Sequence, residues 1–389
     1  MEFDVRTRTL DDLAPVDAVG FHESVLPELL ELRSDLASRA FVASGLRGIT
    51  VGVGDAAWHW SLGDRGRLEV TPGDPGEGVS VRVSAEWFSD IVNDVRSTVA
   101  LMIADEADMV RGNITHVVSW EPVLRALTDG RAAYEPGLVG FTDPDGGDLD
   151  LDRVFTLDDD PADVAHFLDQ AGYAHFRQVF APEEMQDLSL EIDRWRSEMS
   201  PEDERAWYAA IGDERVCVRV TNLGPEAVRF PHEERLAPIA AMVGGERRYR
   251  GSDLLVKPVG VTSGISDLPW HKDCALGGHS YRCRGLTCGV SVTPSGEDNG
   301  RLGVVAGSHR VNIPLFDLSD GLDLPVRWLD TEVGDVTVHL SCVLHCATPP
   351  VHSERRVTYS DFPLPGDAAV DRTIRAVRDQ AGRETYSPA

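Results

Sequence analysis

Apolar positions first recur at helical spacing. Between residues 9 and 45, Leu26, Leu29, Leu30 and Leu32 stand among polar neighbours with few strand formers, and this spacing predicts helix. From about residue 48 the period changes. ITVGVG, AAWHWSL and RLEV are short runs of strand-like composition, with GDRG and TPGDPGEG between them as turns. VSVRVS alternates strictly and leads into EWFSDIVNDV, a strand followed by a helix. MVRGNITHVV precedes SWEPVLRALTDG, where Ser119 is the expected N-cap and Gly130 the expected stop. Residues 1–145 read as a small α+β unit.

The stretch 140–153, GFTDPDGGDLDLDR, is rich in Gly and Asp and reads as a linker or exposed connection. A second unit is expected over 154–389. Asp160, Pro161 and Gly172 bracket a helix whose apolar positions are Val164, Phe167 and Leu168. YAHFRQVF predicts a short strand. PEEMQDLSLEIDRWRSEM then places Met185, Leu188, Ile192 and Trp195 on one helical face. Beyond residue 250 follow DLLVKPV, GLTCGVSVTP, RLGVVAG, VTVHLSCVLH and RRVTYSDF. Helices followed by many short strands predict a β-sandwich or barrel with helices on one side.

A chain of 389 residues fits two domains. A net charge of −28 excludes a broad basic surface, so neither nucleic acid nor an anionic membrane is an expected partner. MEFDVRTRTLDDLAP has no apolar signal region and no run reaches membrane length, which points to a cytoplasmic protein. The six cysteines lie in the second half without a C-x-x-C pair, as reduced buried thiols do. A zinc site from Cys274, Cys283, Cys288 and His279 lacks a recognised ligand spacing. Of 37 cationic residues only Lys257 and Lys272 are lysine; the excess of arginine needs no functional cause.

Lys272 sits inside His271-Lys272-Asp273. In extended backbone, residues two apart point to one side, so His271 and Asp273 can reach one ion. Ferrous non-heme iron is commonly held by two imidazoles and one carboxylate, with the other face open. GDVTVHLSCVLHCATPPVHSERRVTYSDF supplies His339, His345 and His352 as candidate third ligands. It also supplies Arg355 and Arg356 as candidate anchors for the far carboxylate of a dicarboxylate cosubstrate.

Several motifs agree in order with one family. DVAHFLDQAGYAHFRQVFAPEEMQDLSLEI, LLVKPVG before PWHKD, EDNGRLGVVAGSHR and GDVTVHLSCVLH together resemble the phytanoyl-CoA dioxygenase family of iron- and 2-oxoglutarate-dependent oxygenases, over about 154–365. The resemblance implies a C-terminal double-stranded β-helix (jelly-roll, cupin-like) with flanking helices, beside a smaller N-terminal α+β domain. It implies Fe(II), 2-oxoglutarate and O2. It selects His345 as the distal ligand over His339 and His352. It selects Arg356, eleven residues further on, as the cosubstrate anchor, with Arg355 the runner-up. Many members have Gln where this chain has Lys272. Lys257, Lys272, Trp270 and His279 are candidates for the pocket. The plain alternatives are ordinary rim positions for the lysines, shaping of the metal strand's approach by Trp270, and a surface role for His279. Asn299, Gly300, Ser308 and His309 are expected to build a hairpin.

The implied activity is oxidation, hydroxylation above all, of a small organic molecule such as an apolar or natural-product substrate. Two alternatives compete: a catalytically silent binding or regulatory protein on the same barrel, and a cupin-like metalloenzyme that does not use 2-oxoglutarate. In the first unit a strand, a short helix, a Gly-centred strand and a final helix resemble sterol-carrier-protein-type domains. That resemblance implies an apolar ligand or a docking role; the other reading is a stability or dimerisation appendage.

Overall fold

The computed structural model describes residues 14–228, 232–243, 247, 249–276, 285–313 and 322–362. The chain opens with α1 (Ala18–Gly20), a π-turn at Phe21–Val25 and α2 (Leu26–Ala43). Leu26 is buried and Leu29 and Leu30 pack against the core, but Leu32 is 72% exposed. Leu32 falls off the i, i+3, i+4 stripe that Leu26, Leu29, Leu30, Ala37, Ala40 and Phe41 share, and the helix kinks just after it, at Arg33 (φ −134°, ψ 21°). Five strands follow: β1 (Gly48–Val53), β2 (Ala56–Leu62), β3 (Leu68–Pro72), β4 (Val79–Val83) and β5 (Asp108–Arg111). Their order is β3-β2-β1-β4-β5, with β1 and β4 parallel and the other pairs antiparallel.

Between β4 and β5 lie α3 (Ala85–Val92), capped by Ser84, and α4 (Thr98–Ile103), capped by Ser97. The last helix, α5 (Ile114–Thr128), starts earlier than the Ser119 reading. Asn113 caps it by accepting from the Thr115 amide, and the Ser119 hydroxyl donates to the Thr115 carbonyl in mid-helix. The Arg33 guanidinium donates to the Leu127 and Thr128 carbonyls at the other end of α5. Trp60, Trp120, Phe41, Phe88, Leu124 and Leu127 fill the core between sheet and helices.

Residues 140–153 are exposed for most of their length but tied down. Asp143 accepts from the amides of Asp145 and Gly147, and Phe141, Leu149 and Leu151 pack on the second core. That core begins with α6 (Pro161–Ala171). Asp160 caps it, Pro161 opens it and Gly172 closes it at φ 84°, as the sequence predicts. Then come β6 (Tyr173–Phe176), α7 (Pro182–Glu198), β7 (Ala206–Ile211), β8 (Glu214–Leu223), α8 (His232–Met242) and β9 (Gly251–Lys257). The remaining strands are β10 (Leu268–His271), β11 (Leu286–Ser291), β12 (Leu302–Val305), β13 (Val326–Leu329), β14 (Val336–Leu340), β15 (His345–Ala347) and β16 (Arg355–Asp361).

These strands form two antiparallel sheets of a double-stranded β-helix, β6-β14-β11-β16-β9-β8-β7 and β10-β15-β12-β13. Strand alternation divides the larger sheet. Cys288, Val290, Val336, Val338, Leu254 and Val256 share a core with residues of α6, α7 and α8. The opposite face carries Leu255, Val357 and Tyr359, which pack with Leu268 of β10. That second face is therefore the barrel interior, and it holds Thr287, His339, Arg355 and Lys257 by register.

The first unit docks on the barrel. Ala133 forms a parallel bridge with Asn312, whose side-chain amide donates to the Pro122 carbonyl at 2.9 Å. The short helix α4 packs against the 3-10 turn Asp273–Leu276.

Candidate active site

The site is built where β10 meets β15. Their antiparallel register sets His271 opposite His345, and the two rings stand 4.3 Å apart. Asp273 opens the turn that follows. Its Oδ1 lies 3.5 Å from His271 Nε2 and 3.7 Å from His345 Nε2. One ligand atom from each residue falls within 4.8 Å of the others, and among the described residues this is the group able to hold a metal ion.

Hydrogen bonds prepare both imidazoles. His271 Nδ1 is 2.7 Å from the Pro269 carbonyl and His345 Nδ1 is 3.0 Å from the Val343 carbonyl. A carbonyl only accepts, so each Nδ1 donates and each Nε2 is left facing Asp273. Burial, and then the neighbouring His271 and His339, push the His345 pKa well below the ordinary imidazole value, which keeps it neutral. Two imidazole Nε2 atoms facing one carboxylate oxygen suit a divalent ion.

The three candidate distal histidines separate cleanly. His345 joins the cluster. His352 lies on an exposed loop near Asp298. His339, buried on β14, reaches the same cluster from the larger sheet: its Nε2 is 3.5 Å from Asp273 Oδ2 and its ring 4.3 Å from that of His345. Among the described residues neither of its ring nitrogens has a hydrogen-bond partner. Thr287, its cross-strand neighbour on β11, donates to the same Oδ2 at 3.3 Å. Thr287 was not among the residues singled out from the sequence; its signal was its alternation with apolar Leu286 and Cys288. His309 packs against α6, with Nε2 3.0 Å from the Asp169 carbonyl.

The two arginines, Arg356 favoured by the spacing and Arg355 its runner-up, point to opposite faces of β16. Arg356 faces outward to α7, where its guanidinium meets Asp193 at 3.0 Å, Glu354 at 2.7 Å and the Ser189 hydroxyl at 2.9 Å. Arg355 is the buried one, on the interior face of β16, and donates to the Gly300 carbonyl at 2.6 Å. Adjacent strand residues point to opposite faces, so of this pair Arg355 lies inside the barrel and Arg356 outside.

Both lysines are buried, not rim residues. Lys257 stands opposite Arg355 in the β9–β16 register, and its ammonium contacts the carbonyls of Ser266, Ala347 and Thr348 at 3.2–3.4 Å. Burial, followed by the charge of Arg355, drives its pKa well below the usual lysine value. Among the described residues neither cation is paired with a carboxylate. Lys272 points away from the cluster and donates to the Ser308 carbonyl at 3.1 Å. Trp270 turns to the barrel's outside, among Leu344, Val305, Tyr134 and Val139. His279 and Cys283 lie outside the described residues. Cys274 packs with Cys342, whereas Cys288 faces the helices, so the described members of the zinc set do not converge.

The family model for phytanoyl-CoA dioxygenase (PhyH) matches residues 168–357. No curated protein matches the chain by sequence. Solved structures similar in part include AviO1 from Streptomyces viridochromogenes Tue57, 24% identical, covering 54% of this chain and 96% of that one at a TM-score of 0.43. A second is the epimerase SnoN in complex with Fe3+, alpha ketoglutarate and nogalamycin RO, 22% identical, covering 55% and 90% at 0.42. A third is EctD from S. alaskensis with 2-oxoglutarate and 5-hydroxyectoine, 17% identical, covering 60% and 86% at 0.44. The barrel and the cluster already described lie largely within residues 168–357, just under half of the chain, which match as a phytanoyl-CoA dioxygenase (PhyH) family domain.

Proposed function

We propose that the protein hydroxylates a small organic molecule, apolar or a natural-product scaffold, as an Fe(II)/2-oxoglutarate-dependent oxygenase. His271, Asp273 and His345 are the metal ligands, and Arg355 with Lys257 holds the far carboxylate of the cosubstrate. The observation that carries this reading is the cross-strand His271–His345 pair with both Nε2 atoms converging on Asp273 Oδ1. When bound, iron and 2-oxoglutarate together supply the activation of O2.

The chain's own residues orient and shield. The Pro269 and Val343 carbonyls lock the two imidazoles in one tautomer. Lys257 reaches the Ala347 carbonyl, two residues beyond His345, or about 6–7 Å of strand. This distance suits a five-carbon dicarboxylate with one end at the metal. An anion there relieves two buried cations whose acceptors among the described residues are carbonyls, and an Arg fork holds it in a defined orientation. A metalloenzyme without a dicarboxylate cosubstrate, or a silent binding protein, leaves that pair without a use.

Residues 1–145 act in this reading as an accessory domain. Its support is the packing of α4 on the Asp273–Leu276 turn, which steadies the loop bearing the carboxylate. The function is tested by titrating Fe(II) and then 2-oxoglutarate without oxygen, and by following succinate release across candidate substrates in air. Tight binding of both, with succinate release raised by a substrate, is the expected result. A protein that binds iron but ignores 2-oxoglutarate refutes the proposal.

A further inference from the structure

The two oxygens of Asp273 have different neighbours. Oδ1 faces the Nε2 atoms of His271 and His345, at 3.5 and 3.7 Å. Oδ2 faces His339 Nε2 at 3.5 Å and Thr287 Oγ1 at 3.3 Å. The second pair comes from the other sheet, where Thr287 and His339 are direct cross-strand partners. His339 is buried and, among the described residues, neither ring nitrogen is hydrogen-bonded, an arrangement that a folded protein seldom keeps without a use for it.

Resting on the metal-site reading above, we infer that His339, assisted by Thr287, is a positioning residue that holds Oδ2 of Asp273 and leaves Oδ1 as the single oxygen presented to the metal. A free carboxylate rotates and can chelate through both oxygens, which takes up a position needed by cosubstrate or oxygen. An N–H from His339 and the Thr287 hydroxyl fix the carboxylate plane. The 3.5 Å separation closes with a small movement, since hydrogen bonds around such sites tighten as ligands bind. His339 is not itself a ligand in this arrangement: the converging ligand atoms are those of His271, Asp273 and His345, and His339 meets the second carboxylate oxygen.

The test uses the full chain and Co(II), titrated without oxygen against a competing chelator. His339→Phe keeps the shape and removes the donor. It is expected to weaken Co(II) binding about 10- to 100-fold, the usual effect of losing a partner behind a metal ligand. His339→Gln restores an N–H and recovers most of the loss; Thr287→Val gives a smaller loss. The visible Co(II) spectrum at saturation shows no fall below the wild-type coordination number in any of the three. Wild-type affinity in His339→Phe overturns the inference. So does a spectrum of lower coordination number, which makes His339 a ligand. So does a metal-free melting temperature lowered equally in the Phe and Gln variants with no rescue of binding, which leaves His339 a packing residue. A wild type that takes up no metal overturns the functional reading and this inference together; each of the other failures leaves that reading standing.

Discussion

Arg355→Ala should raise the 2-oxoglutarate concentration needed for half-saturation by about 30- to 1000-fold. The magnitude follows from where β16 puts the side chain. Arg355 is buried on the interior face and stands opposite Lys257, so an anion bound there is shielded from water. Hydrogen bonds to a charged group contribute about 1.5–3 kcal/mol each. A two-pronged contact, after desolvation of the guanidinium, is then worth about 2–4 kcal/mol, at 1.4 kcal/mol per tenfold. The lower end is favoured, because removing Arg355 also removes the charge that depresses the Lys257 pKa. The remaining ammonium holds its proton better and takes over part of the work. Arg356→Ala is the control. Its guanidinium is engaged outside the barrel by Asp193 and Glu354, so its loss should cost up to about 1 kcal/mol of stability and leave cosubstrate affinity within threefold. The assay is calorimetric titration of 2-oxoglutarate into Mn(II)-loaded protein without oxygen, beside a thermal melt. A larger loss of affinity in Arg356→Ala refutes the assignment of faces on β16. Unchanged affinity in both places the anion elsewhere.

Lys257→Met should stabilise the ligand-free protein while weakening 2-oxoglutarate binding, because it removes a buried ammonium held only by carbonyls. The folded pKa of Lys257 lies below the unfolded one, so wild type closes the gap as pH rises toward about 10.4, and denaturant melts at several pH values check this. In the first unit, burial lowers His22 from 6.5 to about 4, and its ring stacks on Trp58 at 3.9 Å. Its contribution is intact above pH 6.5 and is lost as pH falls toward 4, by at most about 3 kcal/mol; His22→Phe should flatten that slope in tryptophan-monitored unfolding. Gly172→Ala forces a side chain into φ 84° and sets its Cβ 2.5 Å from Val343, so it should destabilise the barrel by about 2–4 kcal/mol in thermal melts. A variant as stable as wild type refutes that close packing.

The parts legible in the sequence were those with local chemistry. Asp160, Pro161 and Gly172 marked α6 to the residue, since cap, proline and left-handed glycine each act on their own backbone. The clustering of His271, Asp273 and His345 was also legible, two of them by spacing and the third through the resemblance. What failed depended on distant partners. The β7–β8 hairpin went unread because charged Arg219 sits in a strand, where Asp253 pairs with it at 2.5 Å and Trp207 lies beneath it. α8 was also unread; it carries Pro238 inside the helix, a local signal against it. Arg355 and Arg356 are adjacent and identical, and only the register against Lys257 tells inside from outside. The start of α5 turned on two competing caps, Asn113 and Ser119, of which the earlier one won. Burial of the two lysines follows from sheet closure, which no local window contains.

The cluster is also a seam. His271 and His345 belong to the smaller sheet and His339 and Thr287 to the larger, with Asp273 between them. The paired imidazoles are 345 − 271 = 74 residues apart along the chain. Contacts of such long separation form late, because the loop must close before they repay its entropy. An ion cannot template this barrel early, as it does in small metal-nucleated domains. It binds to sheets that have already met and then holds them together, adding RT ln(1 + [ion]/Kd) to their stability. The unfolding rate of the barrel should therefore fall with metal concentration while its folding rate stays constant, so that metal supply governs how long the enzyme lasts rather than whether it forms.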